Sequence, residues 1–215
     1  MNLVEKITQN LNELDYDFNE QGKSLQDSIH QYLLLLEKWN KIHNLTAIRD
    51  PEEMLTQHIM DSLAVLPHIN GPQIVDVGTG PGLPGIPIAL ARSDWQVALV
   101  ESNTKKTSFL QQAKIELNLK NIEVVSKRIK DYHPDRTINT IISRAFSSLG
   151  TFIDSSVHLN RNNDIHCKWV AMKANCSDQE LKQVTTPYSI KKIVTITVPG
   201  LTAKRQLIVI NKEVT

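Results

Sequence analysis

The sequence predicts a doubly wound α/β fold: a mostly parallel sheet with a closing antiparallel hairpin, preceded by a helical extension. Three observations point there. Up to residue 70 apolar residues recur every three or four positions, and from residue 73 short β-branched runs alternate with amphipathic stretches. Between the two regimes Gly and Pro crowd together, with five of the eight glycines between residues 71 and 85 and five of the nine prolines between 67 and 87. Such crowding marks both a domain entry and a specialised loop. Strands alternating with helices imply a parallel sheet covered on both faces. The expected division is a helical extension over residues 1–70 and an α/β domain over residues 71–215.

The elements follow in order. A short helix is expected over residues 3–14. Ser24 caps a second, in which Ile29, Leu33, Leu36 and Trp39/Asn40 form one apolar stripe. Asp50-Pro51-Glu52-Glu53 opens a third, with Asp as N-cap and Pro at the first helical position, running through Leu55, Ile59, Leu63 and Leu66 to Pro67. Residues 73–77 read as a buried strand, 86–92 as a helix, 95–100 as a strand ending at Glu101, and 104–117 as an amphipathic helix. Strands at 122–125 and 140–142 flank a loop with Tyr132-His133-Pro134, and a helix follows at 149–157. Strands at 168–172, 190–198 and 204–210 close the sheet, the last two as a hairpin about Pro199-Gly200.

Composition sets bounds. At 215 residues, 40% hydrophobic and 22% charged, the chain is long enough to bury a sizeable core. A net charge of +1 neither requires nor excludes a nucleic-acid partner, since one local basic face suffices. Cys167 and Cys176 suit a reducing cytoplasm, and the seven histidines show no metal-ligand spacing, so no metal is expected. Leu33-Leu34-Leu35-Leu36 is too short to span a bilayer, and the N-terminus lacks an apolar run of signal-peptide length. A soluble, cytoplasmic monomer is expected, without membrane attachment.

The first strand delivers Gly78, Gly80, Gly82 and Gly85 to its carboxyl end, where ligands bind in such sheets. The helix after Gly85 offers free N–H groups there. Nineteen residues beyond Gly82, Glu101 ends the second strand, placed to accept hydrogen bonds from a ribose diol. A dinucleotide would satisfy the Gly80-Pro81-Gly82-Leu83-Pro84-Gly85 spacing, but Pro81 and Pro84 lack the N–H groups that a pyrophosphate needs. Asp76, in a Val-Asp-Val-Gly-Thr-Gly context, either holds the loop or reaches a ligand ammonium. S-adenosyl-L-methionine is therefore the expected cofactor, on a Rossmann-like methyltransferase fold.

Several motifs together resemble the bacterial RsmG (GidB) family. They are Trp39-Asn40 with Asn44-Leu45-Thr46-Ala47, then His58-Ile59-Met60-Asp61-Ser62-Leu63, the loop from 76 to 85, Val100-Glu101-Ser102 with Lys105-Lys106 and Phe109-Leu110, and Ser143-Arg144-Ala145. The resemblance covers nearly the whole chain. It implies methylation of N7 of a guanosine in 16S rRNA, guanosine 527, with the small ribosomal subunit as partner. It also implies cofactor contacts at Gly78, Leu83, Ile129, Lys130 and Arg144; Asp76, Gly80 and Glu101 join these from the strand-end reading. The chain departs from the family at Leu83, where an aromatic is commoner, and at Lys130, where an acid is commoner. Leu83 still supplies apolar surface, and at Lys130 the backbone is expected to make the contact.

Guanine N7 carries a lone pair and no proton at neutral pH, so alignment of the reactants suffices and no catalytic residue is expected. The position after the fourth strand reads Ser143-Arg144-Ala145-Phe146, not the Asn/Asp-Pro-Pro-Tyr-like motif of exocyclic-amine enzymes. Arg144 is expected to brace the cofactor or the guanine's acceptor edge, or else to pair with a carboxylate of the fold. Phe146 is a stacking platform for the base or part of the core. Lys105 and Arg128 are the expected RNA contacts within a wider basic set of Lys106, Lys127, Lys130, Lys191, Lys192, Lys204 and Arg205. Methylation of another RNA or of a small molecule, and a noncatalytic adenosylmethionine- and RNA-binding module, are the competing readings.

Overall fold

The computed structural model describes residues 2–14, 16, 18, 24–144, 146–161 and 164–213; Ala145 of the Ser-Arg-Ala motif lies outside them. Two helices lead. In α1 (Leu3–Glu13) Asn2 and Glu5 form a reciprocal capping box, and in α2 (Leu25–His43) the Ser24 side chain caps the N-terminus. Of the expected stripe of α2, Ile29, Leu33, Leu36 and Asn40 are buried and Trp39 is half-buried, and the buried face includes Tyr32 and Leu35 as well. Asn44 ends α2 with φ 50°, a left-handed residue that stops the helix.

The third helical stretch starts as expected on Asp50 and Pro51, as α3 (Pro51–Met54). It then widens into a π-helical stretch (Leu55–Met60), returns as α4 (Asp61–Leu63), and passes to a 3-10 turn (Leu66–His68). Pro67 therefore sits inside a turn and does not end a continuous α-helix. Nothing in an apolar period of three to four distinguishes π from α. The π-helical stretch carries His58, and such stretches are frequent at functional sites.

Seven strands form one sheet in the order β3-β2-β1-β4-β5-β7-β6. β1 (Gln73–Val77), β2 (Gln96–Glu101), β3 (Ile122–Ser126), β4 (Thr140–Arg144) and β5 (Lys168–Lys173) are parallel. β6 (Tyr188–Val198) and β7 (Leu201–Lys212) form the expected hairpin, and β7 inserts antiparallel between β5 and β6. Helices α5 (Gly85–Ala91), α6 (Thr104–Glu116), α7 (Leu149–Ser156) and the short α8 (Asp178–Leu181) complete the fold.

Strand alternation divides the core. Ile74, Val97, Leu99 and Ile142 face α5, α6 and the N-terminal helices, in one continuous cluster with Ile7, Ile29, Leu33 and Ile59. Val75, Val77, Val100 and Ile141 face the other way, toward α7, Phe152 and Trp169. This is the doubly covered sheet that the sequence implies. No helix of the described residues is long and apolar enough to cross a membrane.

Candidate functional site

The glycine loop leaves β1 at the sheet's carboxyl edge, between β2 and β4. The N–H groups of Gly78 and Thr79 both donate to the Val100 carbonyl, at 2.9 and 3.2 Å, so the loop is pinned to the end of β2. Gly78 has φ 67°, and a Cβ built there would meet nothing within 4 Å. At Gly82 (φ 97°) the same atom would lie 2.4 Å from Ile86 Cδ1. The glycines thus differ in purpose: Gly78 leaves open space, whereas Gly82 lets the loop close onto α5.

Asp76 is wholly buried beneath this loop. Its Oδ2 accepts from Thr79 Oγ1 at 2.5 Å and from the Gly85 N–H at 2.7 Å. These two contacts are the loop-holding role, the first of the two expected for it, and its Oδ1 is buried without a hydrogen-bond partner. Burial pushes its carboxyl up to about 7, against the pull of those two donors. Glu101 Oε2 accepts the Gly80 N–H at 3.0 Å and its Oε1 the Asn103 N–H at 2.8 Å, which fixes the carboxylate at the strand end.

Beside the loop opens a cleft of about 450 Å³. Gly78 and Glu101 line one side, and Arg128, Ile129, Lys130 and Phe146 the other. A 3-10 turn, Ile129–Asp131, carries the second wall, and His158 Nε2 stands 3.1 Å from the Ile129 carbonyl and 3.0 Å from that of Tyr132, holding the turn from behind. Phe146 is half-buried against Phe152, with ring centroids 5.5 Å apart, and serves both cleft and core. Open space at Gly78, a fixed carboxylate at Glu101 and a partly apolar opposite wall suit a nucleoside-bearing cofactor such as adenosylmethionine.

The other expected residues lie outside this lining. Leu83 is 2% exposed and turned into the core, so its side chain does not border the cleft. Gly80 is tied to Glu101, and Lys105 is exposed on the first turn of α6. Lys106, not Lys105, approaches the loop, its Nζ 4.0 Å from where a Cβ on Gly80 would stand.

Arg144 borders a second cleft of about 360 Å³ with Gln57, His58, Asp61, Lys173 and Arg205. Its Nη1 donates to the Gln57 carbonyl at 3.0 Å and lies 3.3 Å from His58 Nδ1 and 3.5 Å from Asp61 Oδ2. Arg205 Nε takes the other oxygen of Asp61 at 3.0 Å. One buried carboxylate therefore joins two guanidiniums, and the alternative reading of Arg144 as a partner of a fold carboxylate is realised through Asp61. Because Arg144 can only donate, His58 Nδ1 must accept, leaving the proton on Nε2 facing Thr46 Oγ1 at 2.8 Å. Burial and the Arg144 charge lower the imidazole to about 4, so it is neutral at physiological pH.

Thr46 is held in turn by Asn40, whose Oδ1 accepts the Thr46 N–H and whose Nδ2 donates to the Ile48 carbonyl, both at 2.9 Å. Asn40 thus bonds local backbone, whereas the side chain of Asn44 accepts from Arg49 Nη2 at 3.0 Å. Trp39 is half-buried and packs edge-on against Phe109, 5.7 Å between centroids. What the sequence did not indicate is the link from the Asn-Leu-Thr segment through His58 to Arg144, because its members lie up to 98 residues beyond Thr46 in the chain. Among the described residues no group of His, Cys, Asp or Glu could hold a metal ion.

Comparison with known proteins places the chain in a family. The GidB family, described as rRNA small subunit methyltransferase G, matches residues 25–209. A protein named ribosomal RNA small subunit methyltransferase G from Nitrosomonas europaea is 52% identical over 183 residues, covering 85% of this chain and 86% of its own. Its namesake from Nitrosospira multiformis is 50% identical over 194 residues, covering 88% and 90%. Among solved structures, a SAM-dependent methyltransferase from Aquifex aeolicus superposes with TM-score 0.54 at 15% identity, over 81% of this chain and 97% of that one. TrmK from M. capricolum, in complex with S-adenosylhomocysteine, gives 0.50 at 16%, over 70% and 67%. These two likenesses concern the fold. With the family matched across 185 of its residues and half of the aligned positions identical, the chain belongs to the GidB family of small-subunit rRNA methyltransferases.

Proposed function

We propose that this chain, an S-adenosyl-L-methionine-dependent methyltransferase of small-subunit rRNA, methylates N7 of one guanosine of 16S rRNA, guanosine 527 by the family resemblance. It does so as a cytoplasmic monomer. The observation that carries the reading is the juxtaposition of two clefts at one sheet edge: one bordered by Gly78 and Glu101, the other by Arg144 and Arg205.

The Gly78 and Gly80 backbone, Glu101, and the Ile129 and Lys130 turn would hold the cofactor, with Asp76 and Leu83 supporting the loop from beneath. When bound, adenosylmethionine supplies a methyl group already activated on a positively charged sulfur. Glu101 would accept from the ribose, and the backbone at Lys130 would meet the adenine. A guanine N7 needs no base, and this agrees with a neutral His58 whose two ring nitrogens are both engaged. The remaining donors of Arg144 suit guanine O6, which orients the ring while leaving N7 free. Phe146 offers a face to the base, and Arg128 and Lys105 offer charge to flanking phosphates.

The test is transfer of labelled methyl to small subunits lacking the modification, with the product nucleoside identified by mass spectrometry. Label recovered as 7-methylguanosine at one 16S site is the expected result. Label on another atom or another RNA overturns the N7 assignment. Cofactor binding without transfer to any RNA would leave the noncatalytic module.

A further inference from the structure

The helical extension meets the cofactor loop at one polar atom. Tyr32 lies in the buried stripe of α2 and is 0% exposed. Its hydroxyl donates to the carbonyl of Pro81 at 2.6 Å, across 49 residues of chain. Pro81 has no N–H, and it is buried at the crest of the turn whose neighbour, Gly80, donates to Glu101 Oε2. The phenol ring is set against Phe109 of α6, which Trp39 also packs against. Residues 80–82 are thus held from below by α2 and from the side by β2, and the Glu101 carboxylate inherits its position from both.

We infer that Tyr32 is a positioning residue for the cofactor: its O–H to the Pro81 carbonyl fixes the glycine turn and, through Gly80, the Glu101 carboxylate. The inference rests on the proposed placement of adenosylmethionine at that loop. A buried acceptor deprived of its donor either stays unpaired or shifts the segment that carries it toward another partner. Here the shifting segment would be the cofactor wall itself. Burial holds the phenol protonated far above its ordinary range, so it remains a donor at every working pH.

The experiment is calorimetric titration of the full chain with S-adenosylhomocysteine, for wild type and Tyr32→Phe, beside steady-state kinetics on small subunits. Tyr32→Phe is expected to weaken S-adenosylhomocysteine by about tenfold and raise the KM for adenosylmethionine to match. The KM for subunits and kcat stay within about twofold. Trp39→Leu, in the same core but without the hydrogen bond, lowers Tm and leaves that affinity unchanged. Equal affinities of wild type and Tyr32→Phe, or equal weakening in Trp39→Leu at the same loss of Tm, overturn the inference. A wild-type chain that fails to bind S-adenosylhomocysteine overturns the placement of the cofactor instead. Hydrogen exchange on the wild type needs no variant to fold: the ligand should slow amides of α2 around Tyr32 together with those of the loop, and protection confined to the loop overturns the coupling.

Discussion

Asp76 and His58 are both buried, and their pKa values are displaced in ways that act oppositely on stability. Burial raises Asp76 from 3.8 to about 7, so between those values the folded state retains a proton that the unfolded state has lost. Stability from this group therefore falls as pH rises through that window, by on the order of 4 kcal/mol in full. Burial lowers His58 from 6.5 to about 4, so there the unfolded state holds the extra proton and stability falls as pH drops. The two slopes oppose each other between about pH 4 and 6.5. Thermal melts across that range should show Asp76→Asn gaining stability with rising pH more steeply than wild type, and His58→Gln losing it. Parallel profiles for all three proteins would refute the assignment. The glycines separate in a different way. Gly78→Ala puts a methyl into the cleft and should weaken S-adenosylhomocysteine at least tenfold, with a cost in Tm set mainly by the positive φ, whereas Gly82→Ala meets Ile86 and should lower Tm more. Titration and melting of both variants distinguish space for a ligand from space for a helix.

Elements are fixed by contacts of longer range, and α5 is the clearest case. Its loop was legible in the Gly and Pro spacing, and the helix expected from residue 86 begins at Gly85. What stops it was not. Asn121, at the entry to β3, aims Nδ2 at the carbonyls of Ala89, Arg92 and Trp95, at 3.0, 3.2 and 3.0 Å, and so satisfies acceptors that the helix end leaves open. Removing it in Asn121→Ala takes the side-chain donor from the Ala89 and Trp95 carbonyls, while that of Arg92 keeps the Trp95 N–H, and should cost about 1–3 kcal/mol, read as a fall in Tm with unchanged affinity for S-adenosylhomocysteine. A single Asn in a polar segment carries no period, so nothing in the sequence singled it out. The same holds for the π-helical stretch at Leu55–Met60, whose apolar spacing is that of an ordinary helix. Tyr32 is intermediate: a tyrosine inside an apolar stripe announces that its hydroxyl needs a partner, but not which one. Strands and the cofactor loop depend on local periodicity and backbone freedom, and these a sequence displays; the Asn40–Thr46–His58–Arg144 link depends on tertiary register, which it does not.

For the molecule as a whole, the near-zero net charge hides an uneven arrangement. Several cations are already committed to internal partners: Arg144 and Arg205 to Asp61, Lys173 to Glu180, Lys191 to Glu213. Lys127, Arg128 and Lys130 are different, since all three are exposed and line the cleft beside the glycine loop, where the proposed function brings the RNA. If six phosphates of a single-stranded segment are contacted, log affinity should fall against log salt with a slope of roughly −4. Converting the three rim residues to Ala should then flatten that slope by about 2, because each lost phosphate contact removes roughly 0.7. The KM for small subunits should rise at fixed salt, while affinity for S-adenosylhomocysteine stays within about threefold, since the proposed function has the Ile129 and Lys130 backbone, and not these side chains, meet the cofactor. Measuring subunit binding by wild type and the triple variant over a range of salt concentrations decides the matter. A slope unchanged by the triple substitution would move the docking surface away from this rim, toward Lys192 and Lys204 on the hairpin. Loss of cofactor affinity with the slope intact would show that these side chains serve the adenine and not the RNA.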